Sequence, residues 1–206
     1  VFDRPVLKLA WPGLVAMKAN TALGFIFAGI SLWLFGRLPP KVMTGSIPER
    51  DAIDVTIFLI SLSRLCAFLV TLLGLLTLSE IIFNLDFGID TLFFNDFSTS
   101  AEQSFRPGHM APTTALNFIF IGSALLLMTI SPQIGSQIAR LLTYPVMGIA
   151  FIAILGYVSH TETLYQPSNL LIAMALPTAV LFLLLSIGIL TRFPQAGLVG
   201  IFTNKS

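Results

Sequence analysis

The chain has 206 residues, of which 55% are hydrophobic and only 10% are charged, and its mean hydropathy is +0.90. An ordinary soluble domain is about 25% charged, so a soluble enzyme is excluded as the default, and a disordered chain is excluded by the high apolar content. A formal net charge of +1 leaves no excess of Lys and Arg to neutralise phosphates, which argues against nucleic acid as a partner. The single cysteine, Cys66, excludes an intrachain disulfide framework. We therefore expect an integral membrane protein whose first partner is the lipid bilayer.

The first element in chain order is a short segment, residues 1–17, which holds Asp3, Arg4 and Lys8. It is too short and too charged to cross a bilayer. We expect an amphipathic segment that lies on the membrane surface.

Five later stretches are long and apolar enough to cross, because a helix that rises about 1.5 Å per residue needs about 20 apolar residues to span a hydrocarbon core of about 30 Å. Residues 84–112, between the second and third stretches, mix acidic and aromatic side chains and predict an interfacial loop. After the fifth, residues 193–206 begin a partial sixth element, which indicates a fragment of a longer chain. The sequence predicts an all-α integral membrane protein, one transmembrane helical domain over residues 1–206 with about five spans: 19–35, 55–83, 113–130, 138–158 and 170–190.

One pattern occurs three times: Met, Thr, Phe and a small residue at steps of four, with Ala after the Thr. Residues four apart share one face of a helix. Each copy begins a predicted span and precedes another apolar stretch, which indicates duplicated helical hairpins. The simpler interpretation is helix packing; the functional one is a pocket, bounded by the Thr and Phe side chains, for a flat hydrophobic ligand such as a quinone, a haem edge or a pigment. The copies are Met17, Thr21, Phe25 and Gly29; Met110, Thr114, Phe118 and Gly122; and Met174, Thr178, Phe182 and Ser186.

Charged residues near the spans form two candidate sites. Arg64 lies inside the second span, where a charge costs about 2.5–3.5 kcal/mol on insertion scales. It either snorkels to the interface or serves as a counter-charge for a ligand or a bundle partner. A polar set at the interfacial loop, comprising Glu80, Asp86, Asp90 and His109, can bind a cation or a polar ligand, and solvation or salt bridging is the simpler interpretation.

Catalytic and metal-binding patterns are absent from the sequence, which contains no His-Glu-x-x-His, no Gly-x-Ser-x-Gly and no paired Cys motif. We therefore expect neither an enzyme nor a metal centre. Because the predicted cores also lack carboxylate chains, a pump or a transporter half is disfavoured. His109 and His160 both fall at membrane boundaries, and axial ligation of haem by the two is the weaker interpretation. No cofactor is required, while a hydrophobic ligand, haem or pigment stays open.

Three short motifs occur in order: Leu76-Thr-Leu-Ser-Glu80, Gly88-Ile89-Asp90 and Pro107-Gly-His-Met110. Together with the first Met-Thr copy, they resemble the polytopic N-terminal membrane region of bacterial multidomain sensor proteins, in which it precedes PAS or GAF modules and a histidine kinase or diguanylate cyclase. The resemblance covers residues 3–200. It implies a multi-pass protein of the bacterial inner membrane that acts in signal transduction, including two-component systems.

Two functional hypotheses follow. The first is a sensory, signal-input domain that relays a signal to a kinase or cyclase output domain or partner, working as a homodimer or within a larger membrane assembly. The second is a structural accessory subunit of a larger photosynthetic or respiratory membrane complex, which an isolated chain rich in Phe also fits.

Overall fold

The regular secondary structure of the described residues is entirely helical. The computed structural model describes residues 17–38, 53–83, 110–130, 134–159 and 174–192, and within these ranges it contains helices and no strand. The predicted surface segment and interfacial loop lie almost wholly outside them. The five described helices are α1 (Ala19–Gly36), α2 (Ile53–Phe83), α3 (Pro112–Ile130), α4 (Ile134–Val158) and α5 (Leu176–Leu190).

Four of these helices are long and apolar enough to cross a membrane: α1, α2, α3 and α4, with 18, 31, 19 and 25 residues. The fifth differs from the prediction, because α5 has only 15 residues and begins at Leu176 rather than near residue 170. Its start coincides with Pro177, which lacks a backbone N–H and is tolerated in the first turn of a helix, where that N–H has no intrahelical acceptor. Residues 170–173 lie outside the described ranges.

The outward faces of the helices are apolar. Phe58, Ile82, Leu141 and Val158 are 64%, 65%, 69% and 72% exposed. Large exposed apolar surfaces of this kind are unfavourable in water and suited to lipid. Helix length and outward composition together are those of a multi-pass membrane protein.

The helices form an inner set and an outer set. The inner helices α1, α3 and α5 contact one another, whereas α2 packs against α1 and α3, and α4 packs against α3 and α5. Each outer helix therefore occupies a groove between two inner ones. Inner and outer helices alternate along the chain, which is the order expected from repeated hairpins.

The two outer helices bury the same stripe. Its members recur at a constant separation of 76 residues, for example from Ser63 to Ala139. Most are small, which lets the outer helix approach the inner helices closely. The stripe consists of Ser63, Ala67, Val70, Gly74, Thr77 and Glu80 in α2, and of Ala139, Thr143, Val146, Ala150, Ala153 and Gly156 in α4.

Close approach is visible where α2 meets its neighbours. A Cβ added to Gly74 would lie 2.6 Å from the backbone oxygen of Ala115 in α3, so no larger residue fits there without movement. On the other side, the Ser31 hydroxyl of α1 donates to the Ser63 carbonyl at 3.0 Å, and the Ser63 hydroxyl donates to the Ser31 carbonyl at 3.0 Å. These contacts hold α2 between α1 and α3.

Candidate site at the centre of the bundle

Three phenylalanines, one from each copy of the repeated pattern, meet where the inner helices converge. The ring centroids of Phe25 and Phe118 are 5.1 Å apart, those of Phe25 and Phe182 are 4.7 Å apart, and those of Phe118 and Phe182 are 4.9 Å apart. Every pair is edge-on with an interplanar angle of 60°. Near-equal distances and equal angles mean that an approximate threefold axis relates the rings. We call these three residues the Phe cluster.

The repeated pattern also fixes where each inner helix begins. In all three copies the Ala after the Thr donates its backbone N–H to the carbonyl four residues earlier: Ala22 to Lys18 at 3.1 Å, Ala115 to Ala111 at 3.0 Å and Ala179 to Ala175 at 3.0 Å. The Phe follows three residues after this Ala, so each ring emerges at the same height above its helix start.

The threonines of the pattern lie one turn before the rings and are buried. Thr21, Thr114 and Thr178 are at most 3% exposed. The structure thus brings all six Thr and Phe residues named from the sequence into the interior of one bundle. In this arrangement the rings pack against each other, which is the helix-packing interpretation. A ligand role for these residues stays a prediction.

Asn117 is a polar side chain of this region that the pattern did not single out. It is completely buried in α3 directly before Phe118. Among the residues that the structure describes, neither its amide nitrogen nor its amide oxygen has a hydrogen-bond partner. An unbonded buried amide costs about 1–3 kcal/mol by protein mutational data. The sequence marks Asn117 as unusual, because the other two copies carry Gly24 and Leu181 at the equivalent position.

Gly24 shows what its position contacts in the first copy. A Cβ added there would lie 2.6 Å from the tip of the Phe118 ring. Glycine is therefore required for α1 to approach α3 at the level of the Phe cluster, and a movement of the Phe118 ring changes the space between these helices.

Arg64 caps the end of a neighbouring helix. Its Nη2 atom donates to the backbone oxygen of Thr129 at 2.7 Å. Thr129 lies in the last turn of α3, where carbonyls have no intrahelical donor and the helix dipole favours a cation. A contact inside the bundle thus accommodates this charge, while its role toward a ligand stays a prediction.

Of the predicted polar set, only Glu80 lies within the described residues. Glu80 does not lie on a solvated interface: it is 1% exposed and belongs to the buried stripe of α2. Its helical register, three residues after Thr77, determines this burial. Asp86, Asp90, His109 and His160 lie outside the described residues. Within the described ranges, no group of three or more His, Cys, Asp or Glu side chains could hold a metal ion.

No protein-family model matches this chain, and neither a curated protein nor a solved structure is similar enough to it to count as a relative.

Proposed function

We propose that this chain is a membrane-embedded signal-input domain. A ligand or a change in the state of the membrane shifts the packing of α1, α3 and α5, and the shift passes to a kinase or cyclase output domain or partner. The observation that carries the proposal is the unbonded, buried amide of Asn117 beside the Phe cluster.

In this proposal, the unbonded amide raises the free energy of the observed packing relative to a second packing in which the amide is bonded. Its cost of about 1–3 kcal/mol would be recovered in a second packing, or in a liganded state, where the amide gains a partner. Edge-on ring pairs contribute only about 0.5–1.5 kcal/mol each, so rearranging the Phe cluster is not prohibitive. A stimulus needs to favour one state by a few kcal/mol to shift such an equilibrium.

The close contacts of the bundle carry the shift outward. Phe118 lies against Gly24 of α1, and Gly74 of α2 lies against the backbone of α3. Because these surfaces touch without room for a methyl group, displacement of α3 must move α1 and α2 as well. In this proposal, a displacement of α3 at the level of the Phe cluster therefore passes to α1 and α2.

The cellular setting of the proposal rests on the resemblance of the sequence motifs. It is the inner membrane of a bacterium, with the chain acting as a homodimer or within a larger assembly. The second hypothesis is that the chain is a structural accessory subunit of a photosynthetic or respiratory complex. The experiment on Asn117 and its controls distinguishes this alternative from the signal-input domain.

The test removes the Asn117 amide in the full chain. Asn117→Val is expected to raise the free energy of unfolding by about 1 kcal/mol or more, because it removes a buried unbonded amide, and to fix signalling output at one level. Output is measured as phosphotransfer and cyclic di-GMP in cells that carry only the variant, while quinone redox state, membrane potential and osmotic strength are varied.

Leu141→Val is the matched control, since Leu141 is 69% exposed on the outside of α4. It should respond as the wild-type chain does. If neither the wild-type chain nor its deletion alters either output under any stimulus, the signal-input proposal is wrong. Stable co-purification with a pigment- or cofactor-bearing complex would then support the accessory subunit.

A further inference from the structure

The groove between the inner helices α5 and α1 is uncovered among the described residues. α2 packs between α1 and α3, and α4 packs between α3 and α5, whereas no described helix packs between α5 and α1. A Cβ added to Gly122 of α3 would lie 2.7 Å from the backbone nitrogen of Thr71 in α2, while a Cβ added to Gly29, the equivalent position in α1, would meet nothing within 4 Å. The α1 side of this groove therefore has space where the matching side of α3 contacts a helix.

Apolar side chains line both walls of the groove. On α1, Ile26 and Trp33 are seven residues apart, share one helix face, and are 55% and 57% exposed. On α5, Leu184 is 58% exposed and lies one turn before Gly188, where an added Cβ would lie 2.9 Å from the Leu32 side chain of α1. The two helices thus touch at Gly188, and the walls on either side of this contact suit an apolar chain.

Positive charge is concentrated at one end of the bundle. Among the described residues, only Lys18 is a cation at the end where the inner helices begin. The opposite end, where α1, α3 and α5 finish and α2 and α4 start, carries four cations. These are Arg37, Arg64, Arg140 and Arg192.

Two of these arginines border the uncovered groove, one from each wall. The Arg37 guanidinium stacks 4.8 Å above the ring of Trp33. The Arg192 guanidinium reaches from the end of α5 to α1, where a Cβ added to Gly36 would overlap it. Because Gly36 directly precedes Arg37, both side chains belong to the same end of the groove.

No carboxylate of the described residues lies at this groove. The described chain contains two, Asp54 and Glu80, and both belong to α2, which packs between α1 and α3 instead. The arginines of the outer helices, Arg64 and Arg140, donate to helix carbonyls. The two arginines at the groove therefore give its end a positive charge that an anion would complement.

We infer that this groove binds an anionic phospholipid. Arg37 and Arg192 hold its phosphate, since a guanidinium donates two parallel N–H bonds to phosphate oxygens, and an acyl chain lies along the open face of α1. Arg37 follows Ile26 by eleven residues, about 16 Å along a helix, which matches one leaflet of a hydrocarbon core about 30 Å thick. Basic pockets between membrane helices bind anionic headgroups in this way. The inference does not depend on the proposed signalling role.

Fluorescence of Trp33 in the full chain tests this inference. The chain has two tryptophans, so Trp11→Phe leaves Trp33 as the single one. The protein is reconstituted in phosphatidylcholine bilayers, and either phosphatidylglycerol or phosphatidylcholine with brominated acyl chains is titrated in as the quencher. We expect phosphatidylglycerol to quench at a mole fraction about 25-fold lower, because each arginine near the membrane surface favours an anionic lipid about fivefold. Equal quenching by the two lipids would overturn the inference.

Arg192→Gln should lower this preference for phosphatidylglycerol about fivefold. Arg140→Gln is the matched control, because it removes the same charge at the same end of the bundle from α4, which packs against α3 and α5. It should keep the preference of the unmutated groove. A loss of equal size in both variants would show that diffuse surface charge attracts the lipid, and the site would be wrong.

A second pair of variants tests the acyl chain. A Cβ added to Gly29 or to Gly148 of α4 meets nothing within 4 Å, so leucine can be accommodated at either position. Gly29→Leu should weaken quenching by brominated phosphatidylglycerol, because the leucine occupies the groove, and Gly148→Leu should not. An unchanged titration in Gly29→Leu would contradict the inference. So would a Trp33 that neither lipid quenches, because another segment or a second copy of the chain would then cover the groove.

Discussion

At the scale of single residues, Arg64 shows how a charge inside an apolar span is accommodated by a neighbouring helix. Its guanidinium bonds the Thr129 carbonyl at 2.7 Å, and a hydrogen bond to a charged group contributes about 1.5–3 kcal/mol. The hydrogen bond supplies a donor to a carbonyl at the end of α3 that has no intrahelical donor. It also links α2 to that end of α3. It accounts for the residue without a ligand.

Removing the Arg64 charge should loosen the last turn of α3. In Arg64→Met we expect amide hydrogen exchange at Leu127–Ile130 to rise about tenfold or more, as a loss of about 1.5 kcal/mol or more implies. Arg37→Met is the control, because Arg37 stacks 4.8 Å above the Trp33 ring in α1 and should leave α3 unchanged. Unaltered exchange in α3 of the Arg64 variant would show that the cap contributes nothing.

At the scale of elements, pairs of helices are joined by small polar residues as well as by apolar contact. Ser31 and Ser63 are both fully buried, and each hydroxyl donates to the carbonyl of the other residue across the interface of α1 and α2. Interhelical hydrogen bonds in membrane bundles average about 0.6 kcal/mol and reach about 1.7 kcal/mol. The reciprocal geometry places this pair toward the upper end of that range.

A double-mutant cycle of Ser31→Ala and Ser63→Ala should therefore give a coupling free energy of about 1–1.7 kcal/mol. Unfolding by denaturant in detergent supplies the four free energies. Ser31→Ala combined with Ser79→Ala is the control pair, since the Ser79 hydroxyl donates within its own helix to Leu76, and this pair should be additive. Additivity of Ser31 and Ser63 would mean that their bonds do not hold the helices together.

Helix positions could be predicted from the sequence because apolar length and helix-breaking residues mark a span. The predicted spans 19–35, 55–83, 113–130 and 138–158 lie within α1 to α4. The fifth was predicted too long, because apolar residues continue ahead of Pro177 and hydropathy does not register where a proline starts a helix. Glu80 falls inside the predicted span 55–83, but its charge led us to group it with the interfacial polar set, whereas its place on the α2 stripe buries it.

The central site could be predicted only in part. Spacing identified one face on each inner helix, and a common pocket was one of two interpretations of the pattern. Spacing alone does not determine which helix faces contact each other. The direct contact among the three rings could therefore be seen only in the structure. Asn117 was missed because it lies outside the four-residue steps that defined the pattern, although an amide inside an apolar span is itself a signal.

At the scale of the whole molecule, the three inner helices pack around one approximate threefold axis. Each of them begins with one copy of the repeated pattern. The inner helices supply the Phe cluster, the outer helices bury a matching stripe of small residues, and uneven loop lengths alter the spacing of the copies without altering this plan. A shared centre gives every inner helix contact with both of its counterparts. The proposed signalling role would use these contacts to pass a change at the centre to the other helices.

A triple-mutant cycle on the Phe cluster is the most direct test of this plan. Phe25, Phe118 and Phe182 are each replaced by Leu, singly, in pairs and together, and free energies of unfolding are measured in detergent. Phe68→Leu, at a 52% exposed site on α2, is the additive control. We predict coupling of about 0.5–1.5 kcal/mol in all three pairs; additivity in any pair would contradict a single centre shared by the three copies.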